Sequence, residues 1–542
     1  MSLKHQHKSF IFLKFKKIVS SIIIGFVLIF MCVKGLEWWI ETNFQSTLNA
    51  DPKRAYNITY KELDLSTFFN GIQLENIEVI PLDLHNQTSI NAILNNAHLE
   101  GLNLYGLLFE KRLSINSITF IQPKFKISLS PDRVQKESRR SIQSMFSDVL
   151  TRADITNFNL IDGSVLLSES NSNSTIGSIS NINIKASKIN TNSLKFSNII
   201  PFEMDNLTIS FDSLHFSLNE FSNIHVSHFH YQLKEKEASL KGISFENSLD
   251  WLKVSQDIPY QKDIMQFGAK EISIHQFETS SEFYSHLDLV AQKVSIDQFD
   301  LQIGKNKNRP PPPIKIKPTF QEMLKLIPFK MKVDTINILN SSLAYSELGA
   351  GKNQYGTIDI QKMNGFVYGV TNMLEKQNNF EQIFAELKGK LMGQADIGFK
   401  LNIPYQSNNF SATIEAKAIE LSKLNNIIEP LVHLEIDSGK ANRIHYTMNY
   451  NGYQSNNQLI LDYKNLHLKI VNEHKAKKNK LLSFILQGAI EENNLPQEKK
   501  YVVVEYTTER NNHRSILNYI IQSLIQGAKR IIPKKIIQSQ LL

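Results

Sequence analysis

From residue 56 onward the chain alternates apolar and polar side chains with a period of two, the pattern of strands that have one greasy face and one wet face. Leu207, Ile209 and Phe211 alternate with Thr208 and Ser210, and Leu214, Phe216 and Leu218 follow in the same manner. Leu287 and Leu289 flank Asp288, and Phe399, Leu401 and Ile403 flank Lys400 and Asn402. Leu459, Leu461 and Tyr463 are followed by Leu466, Leu468 and Ile470. Polar breaks at 171–174, 305–308, 451–452 and 491–494 separate such runs, the spacing expected of consecutive antiparallel hairpins. Parallel βαβ units need a helix between most strands, and only 134–152 and 319–331 offer one. The expected fold is therefore mainly β, an antiparallel meander with few short helices.

At 542 residues the chain exceeds the size at which one compact core keeps growing, so several domains or one extended architecture are expected. Hydrophobic residues at 42% and charged residues at 21% exclude wholesale disorder. The formal charge is +8, and Lys4, Lys8, Lys14, Lys16 and Lys17 stand in a tail without any acidic residue. No later segment joins clustered Lys and Arg to stacking aromatics, so anionic lipid, and not nucleic acid, is the expected partner of that tail.

Residues 18–33 carry no charge, and as a helix they cover about 24 Å of the roughly 30 Å hydrocarbon layer. Ile22, Ile23, Ile24, Phe26, Val27, Leu28 and Ile29 form the heart of the run. Trp38 and Trp39 supply an interfacial aromatic pair, which extends the predicted membrane span to 18–40. Positive charge before the run, with Glu37 and Glu41 after it, leaves 1–17 in the cytoplasm and exports the body. A cleaved signal peptide is the competing reading, but no small-x-small site follows the run. Cys32, the single cysteine, lies inside it, which rules out an intrachain disulfide and a multi-cysteine zinc site.

Arg309 and the prolines at 310–313 make the strongest break, dividing the body into 41–308 and 319–510 around a connector at 309–318. Residues 145–169 align without gaps on 323–347, with Met145, Asn159, Ser164, Ser168 and Glu169 facing identical residues. This repeat reads as helix, strand, turn, strand, with a degenerate strand copy at 118–125. In the last segment, 511–542, the period changes: Leu517, Ile520, Ile521, Leu524, Ile525 and Ala528 fall near helical spacing, and Lys529, Arg530, Lys534 and Lys535 cluster behind them. An amphipathic helix of this kind either packs on the open end of the sheet and blocks edge pairing, or lies on an anionic membrane or a partner.

Motifs that carry chemistry are missing. His225, His228 and His230 fall in a strand-like stretch with no cysteine or close carboxylate to complete a metal site. Gly349 and Lys352 lack phosphate-loop spacing, and neither a nucleophile elbow nor a zinc-protease motif occurs. The chain is expected to be no enzyme and to need no cofactor.

A one-sided sheet must cover its apolar face with a second sheet, with helices or with a ligand. The order of segments at the start bears on that choice. After the predicted helix come Tyr56 to Tyr60, Leu63 to Leu65, Gly71 to Val79, the stretch Ala97 to Leu108, and Leu113 to Phe125 with its Gln122-Pro123 turn. This order resembles the AsmA-like family of Gram-negative envelope proteins. The resemblance is clearest over 15–130 and weaker around 392–471 and 508–519. It implies an inner-membrane anchor and an elongated periplasmic β-sheet curled into an apolar groove that shields phospholipid acyl chains. It makes Leu207, Ile209, Phe211, Leu287, Leu289, Phe399, Leu401, Ile403, Leu459 and Leu461 groove-lining candidates. It also implies membrane phospholipids as partners, with envelope proteins at the C-terminal end. The alternative is an envelope assembly or scaffold protein whose β-body is sealed on itself.

Overall fold

The computed structural model describes residues 30–31, 34–35, 37–46, 48–49, 56–66, 71–82, 89–103, 112–129, 152–169, 174–192, 204–277, 288–313, 316–377, 380–432, 434–470 and 488–534. The protein is mainly β, with 22 strands among these residues, and it divides into two compact units, 1–208 and 209–542. The proline run at 309–313 lies inside the second unit.

The first unit holds β1 (Tyr56–Thr59), β2 (Glu62–Leu65), β3 (Gly71–Pro81), β4 (Ser89–Glu100), β5 (Arg112–Ile121), β6 (Lys124–Leu129), β7 (Arg152–Glu169) and β8 (Thr175–Asn192). β9 (Asn206–Ser217) begins at its end. The second unit continues with β10 (Ser222–Gln232), β11 (Glu237–Asn247), β12 (Asp263–Phe277), β13 (Leu289–Asp297), β14 (Asp300–Asn306), β15 (Met331–Leu348) and β16 (Tyr355–Thr371). It closes with β17 (Gln382–Leu391), β18 (Ala395–Pro404), β19 (Phe410–Glu420), β20 (Leu434–Tyr450), β21 (Gln454–Ile470) and β22 (Val504–Glu509).

The meander is not purely antiparallel. β5 and β6 are successive halves of one line, both antiparallel to β4 and both parallel to β7. The second unit repeats this: β13 and β14 are antiparallel to β12 and parallel to β15. Two crossovers thus interrupt the hairpins. The crossover from β14 to β15 carries the prolines and a short helix, Phe320–Lys325, which Thr319 caps while Glu322 reaches back to the Thr319 N–H at 2.7 Å. That N–H holds the Glu322 carboxyl below the usual carboxylate range. The other predicted helix, 134–152, lies outside the described residues except for Arg152, which begins β7.

The strand part of the aligned repeat is real in three dimensions, but its central turn is a bulge; residues 145–151 of the first copy lie outside the described residues. β7 and β15 are each 18 residues long, and each takes in one extra residue halfway, at Asp162 and Asn340. Both have positive φ, 56° and 46°, which Asp and Asn tolerate better than branched residues. The surroundings match as well. The Asp162 N–H donates to Asn183 Oδ1 and the Asn340 N–H to Asn364 Oδ1, at 3.2 and 3.0 Å. Asn183 and Asn364 in turn donate to the carbonyls of Asn181 and Lys362, each at 2.9 Å. On the other side the N–H groups of Gln122 and Gln298 donate to the carbonyls of Ile161 and Leu339. Residues 118–125, expected as a degenerate third strand copy, form the β5–β6 line, which pairs in parallel register with 158–165 of β7 and has its own positive-φ residue at Gln122.

Single residues with positive φ recur on neighbouring strands, at Asn76 and Gly242 without a shift of register against the partner strand. Positive φ is found at Asn76, Gln122, Asp162 and Asn181 in the first unit, and at Ser213, Gly242, Gln298, Asn340 and Lys362 in the second. Their consequence is visible in the spacing of apolar residues. Leu74 and Val79, Phe120 and Phe125, Leu160 and Val165, and Leu240 and Phe245 all stand five apart. In a regular strand an odd spacing sends two side chains to opposite faces, so each of these left-handed residues keeps both halves of its strand on the same face. The two short runs read at 207–211 and 214–218 therefore belong to one strand, as do those at 459–463 and 466–470, where Ser213 and Asn465 are the positive-φ residues.

Candidate functional site

The site is the apolar face that these left-handed residues preserve. In the second unit Phe229, Leu240, Ile272, Ile296 and Ile338 stand directly opposite one another on five strands, from β10 to β15. Phe211 on β9 joins them, its ring stacked on Phe229 at 5.0 Å. After Gly365 the same row runs through Leu387, Phe399 and Ile414 to Tyr446 and Leu459. A second row, Tyr231, Ala238, Ile274, Val294, Ile336 and Val367, lies beside it. The opposite face is wet, with His230, Ser239, Ser273, Ser295 and Asn337 in register.

Burial divides this face into two regions. From Phe229 to Ile414 the first row is half-buried, whereas Tyr446 and Leu459 are fully enclosed, at 0% and 1% exposure. The cover is a helix, Ile516–Ile531, N-capped by Ser515 and packed on β21 and β22. A second helix, Asn425–Val432, lies against β16 and β20. A buried hydroxyl and amide network pins the longer helix: Tyr519 donates to Ser455 at 2.9 Å, Thr508 and Ser523 share a bond at 2.7 Å, and Tyr446 donates to Asn457 at 2.9 Å. Burial pushes the Tyr446 phenol up, and it pushes Tyr506 up to about 12.

Gly527 lets this helix approach. A Cβ there would sit 2.8 Å from Leu459 Cδ2 and closer still to Tyr506 Oη. Gly527→Ala favours the isolated helix by about 1 kcal/mol, but overpacking costs about 1–3 kcal/mol. The expected net result is a loosened helix, seen as faster proteolysis within 516–531, and slower cleavage than in the parent chain would contradict this packing.

In the first unit Leu63, Leu74, Ala97, Phe120, Leu160 and Ile184 make a comparable row. It is covered at its start by the helical stretch 37–46, whose Ile40 and Phe44 are buried with Leu74 and Ala97 in one cluster. Phe120 and Ile184 are half-buried.

The groove candidates divide accordingly. Ile209, Phe211, Leu289 and Phe399 are half-buried, while Leu401, Ile403, Leu459 and Leu461 belong to the closed core. Leu207 is buried in the first unit, and Leu287 lies outside the described residues. Of the anchor residues, Ile22, Ile23, Ile24, Phe26, Val27, Leu28 and Ile29 lie outside them too. Trp38 and Trp39 are exposed on the 37–46 stretch, turned away from Ile40 and Phe44. No helix among the described residues is long and apolar enough to cross a membrane. Among these residues no group of three or more His, Cys, Asp or Glu could hold a metal ion, and His228 pairs with Asp212 at 2.6 Å. Sequence reasoning misses the half-buried row as a unit because its members lie on separate strands, although the spacing of five is a signal for it.

No protein-family model matches this chain, and no curated protein matches it.

Proposed function

We propose that this chain is a lipid-transfer protein of the AsmA-like kind, held in the inner membrane by the uncharged run at 18–33 with its body in the periplasm, and that it shields phospholipid acyl chains in a groove; Ile40, which the sequence adds to the span, belongs to the core of the first unit. The observation that carries the reading is the half-buried row from Phe229 to Ile338, five large apolar side chains in register that are not enclosed, although a short helix, Trp251–Asp257, lies against β12 and β14 and the helix Asn425–Val432 touches β15. Strands are about 4.8 Å apart, so an acyl chain lying along the row meets a new side chain every few methylenes. Each methylene withdrawn from water contributes about 0.8 kcal/mol, so no specific polar contact is required. Outer-membrane lipid homeostasis is the process such a carrier would serve.

The test uses a soluble body. It must begin before residue 37, because a cut at 42 would remove Ile40 from the core of the first unit. Residues 35–542, extracted without detergent, are expected to carry phospholipid visible by native mass spectrometry. A preparation free of lipid under those conditions argues for the second reading, a sealed envelope scaffold. The closed core around Tyr446 and Met448, both at 0% exposure, favours that second reading for the C-terminal strands.

A further inference from the structure

The C-terminal helix has two apolar faces, and the sheet uses one. Ile516, Tyr519, Ile520, Ser523, Gly527 and Ile531 are buried. Leu517, Ile521 and Ile525, four residues apart and hence in line on the helix, are 60%, 48% and 38% exposed. The polar network described above holds the inner face down, so this outer stripe is presented by a fixed element and not by a helix free to roll.

Charge says what the stripe meets. Residues 510–542 contain Arg510, Arg514, Lys529, Arg530, Lys534 and Lys535 and no Asp or Glu, whereas 18–509 is net acidic. Arg514 and Lys529 are exposed and bracket the stripe, three residues before Leu517 and four after Ile525. Three aliphatic side chains are far too few for a stable protein interface, which buries about 1,200 Å² or more. A bilayer surface needs no such area, because apolar insertion and attraction to anionic headgroups add together.

We propose that the Leu517, Ile521 and Ile525 stripe, flanked by Arg514 and Lys529, seats the C-terminal helix on an anionic phospholipid surface. This contact is independent of the cargo groove: it uses the outer side of the helix, and lipid found in the body by mass spectrometry neither requires it nor excludes it.

The full chain tests it. With Cys32→Ser and Ile521→Cys, the only thiol sits on the stripe and takes an environment-sensitive fluorophore. The labelled chain is reconstituted in phosphatidylcholine vesicles and mixed with acceptor vesicles that contain phosphatidylglycerol. The expected result is a blue shift with anionic acceptors and none with phosphatidylcholine acceptors. Arg514→Glu with Lys529→Glu should raise the acceptor concentration needed by at least about tenfold. Three results would overturn the proposal: no shift with either acceptor, an equal shift with both, or a label shielded before acceptors are added, which would mean that the stripe is already covered. Circular dichroism of the labelled chain establishes that the helix is intact, and a parallel label at Leu517→Cys must report the same shift.

Discussion

Leu461→Asp is expected to unfold the C-terminal strands of the second unit. Leu461 is 7% exposed, lies opposite Ile444, and belongs to the core closed by the helix Ile516–Ile531. A carboxylate placed there has no partner, and its desolvation costs several kcal/mol even if the group becomes protonated to avoid the charge. Stability of a whole domain is about 5–15 kcal/mol, so a loss of about 4 kcal/mol or more removes much of it. Ile403→Asp should behave alike, since Ile403 is 4% exposed and faces Ile383 across β17 and β18. Urea denaturation checks both, and a variant whose midpoint stays within the range of a surface substitution would show that this region is open. From the alternation alone both residues are groove candidates; what separates them from Phe229 is their burial in one closed cluster, which the helix Ile516–Ile531 covers over Leu461.

That difference marks where the sequence stops being informative. Period two identifies strands correctly, because alternation is a property of neighbours in the chain. It cannot show that β5 and β7, or β13 and β15, run parallel, since that pairing joins residues about forty positions apart. The Gln122-Pro123 break is legible as a turn, yet here it interrupts one line of strand without reversing it. The shift from Phe211 to Leu214 and from Tyr463 to Leu466, three residues apart, is visible in the sequence, where it reads as a gap between strands. A single residue in the left-handed region absorbs that shift with less chain than a turn needs. The ungapped match of 145–169 on 323–347 carries more than its few identities, because it aligns the two bulges, Asp162 and Asn340. Which apolar residues are covered is least legible, since burial under a helix that is distant in the chain leaves no trace in local alternation.

Ile272→Asp combined with Ile296→Asp is expected to empty the groove while leaving the fold standing. The two side chains oppose each other on β12 and β13 in the middle of the half-buried row. Because neither is enclosed, each aspartate keeps contact with water, and the loss of stability should be nearer about 1 kcal/mol per site than the cost at Leu461. For an acyl chain in the row the balance is different. Crossing one strand spacing of about 4.8 Å engages roughly four methylenes, worth about 3 kcal/mol at 0.8 kcal/mol each. Two adjacent carboxylates would keep that stretch hydrated and forfeit this contribution, which corresponds to about a hundredfold in affinity. Lipid recovered with residues 35–542 should therefore fall to near background, with the urea midpoint little changed. Repeating the extraction near pH 4, where part of the aspartate is protonated, should restore some lipid, because the neutral acid is cheaper to desolvate. If the variant unfolds as Leu461→Asp does, the row is covered in solution and the sealed scaffold is the better account; if it stays folded and keeps its lipid, the cargo lies elsewhere.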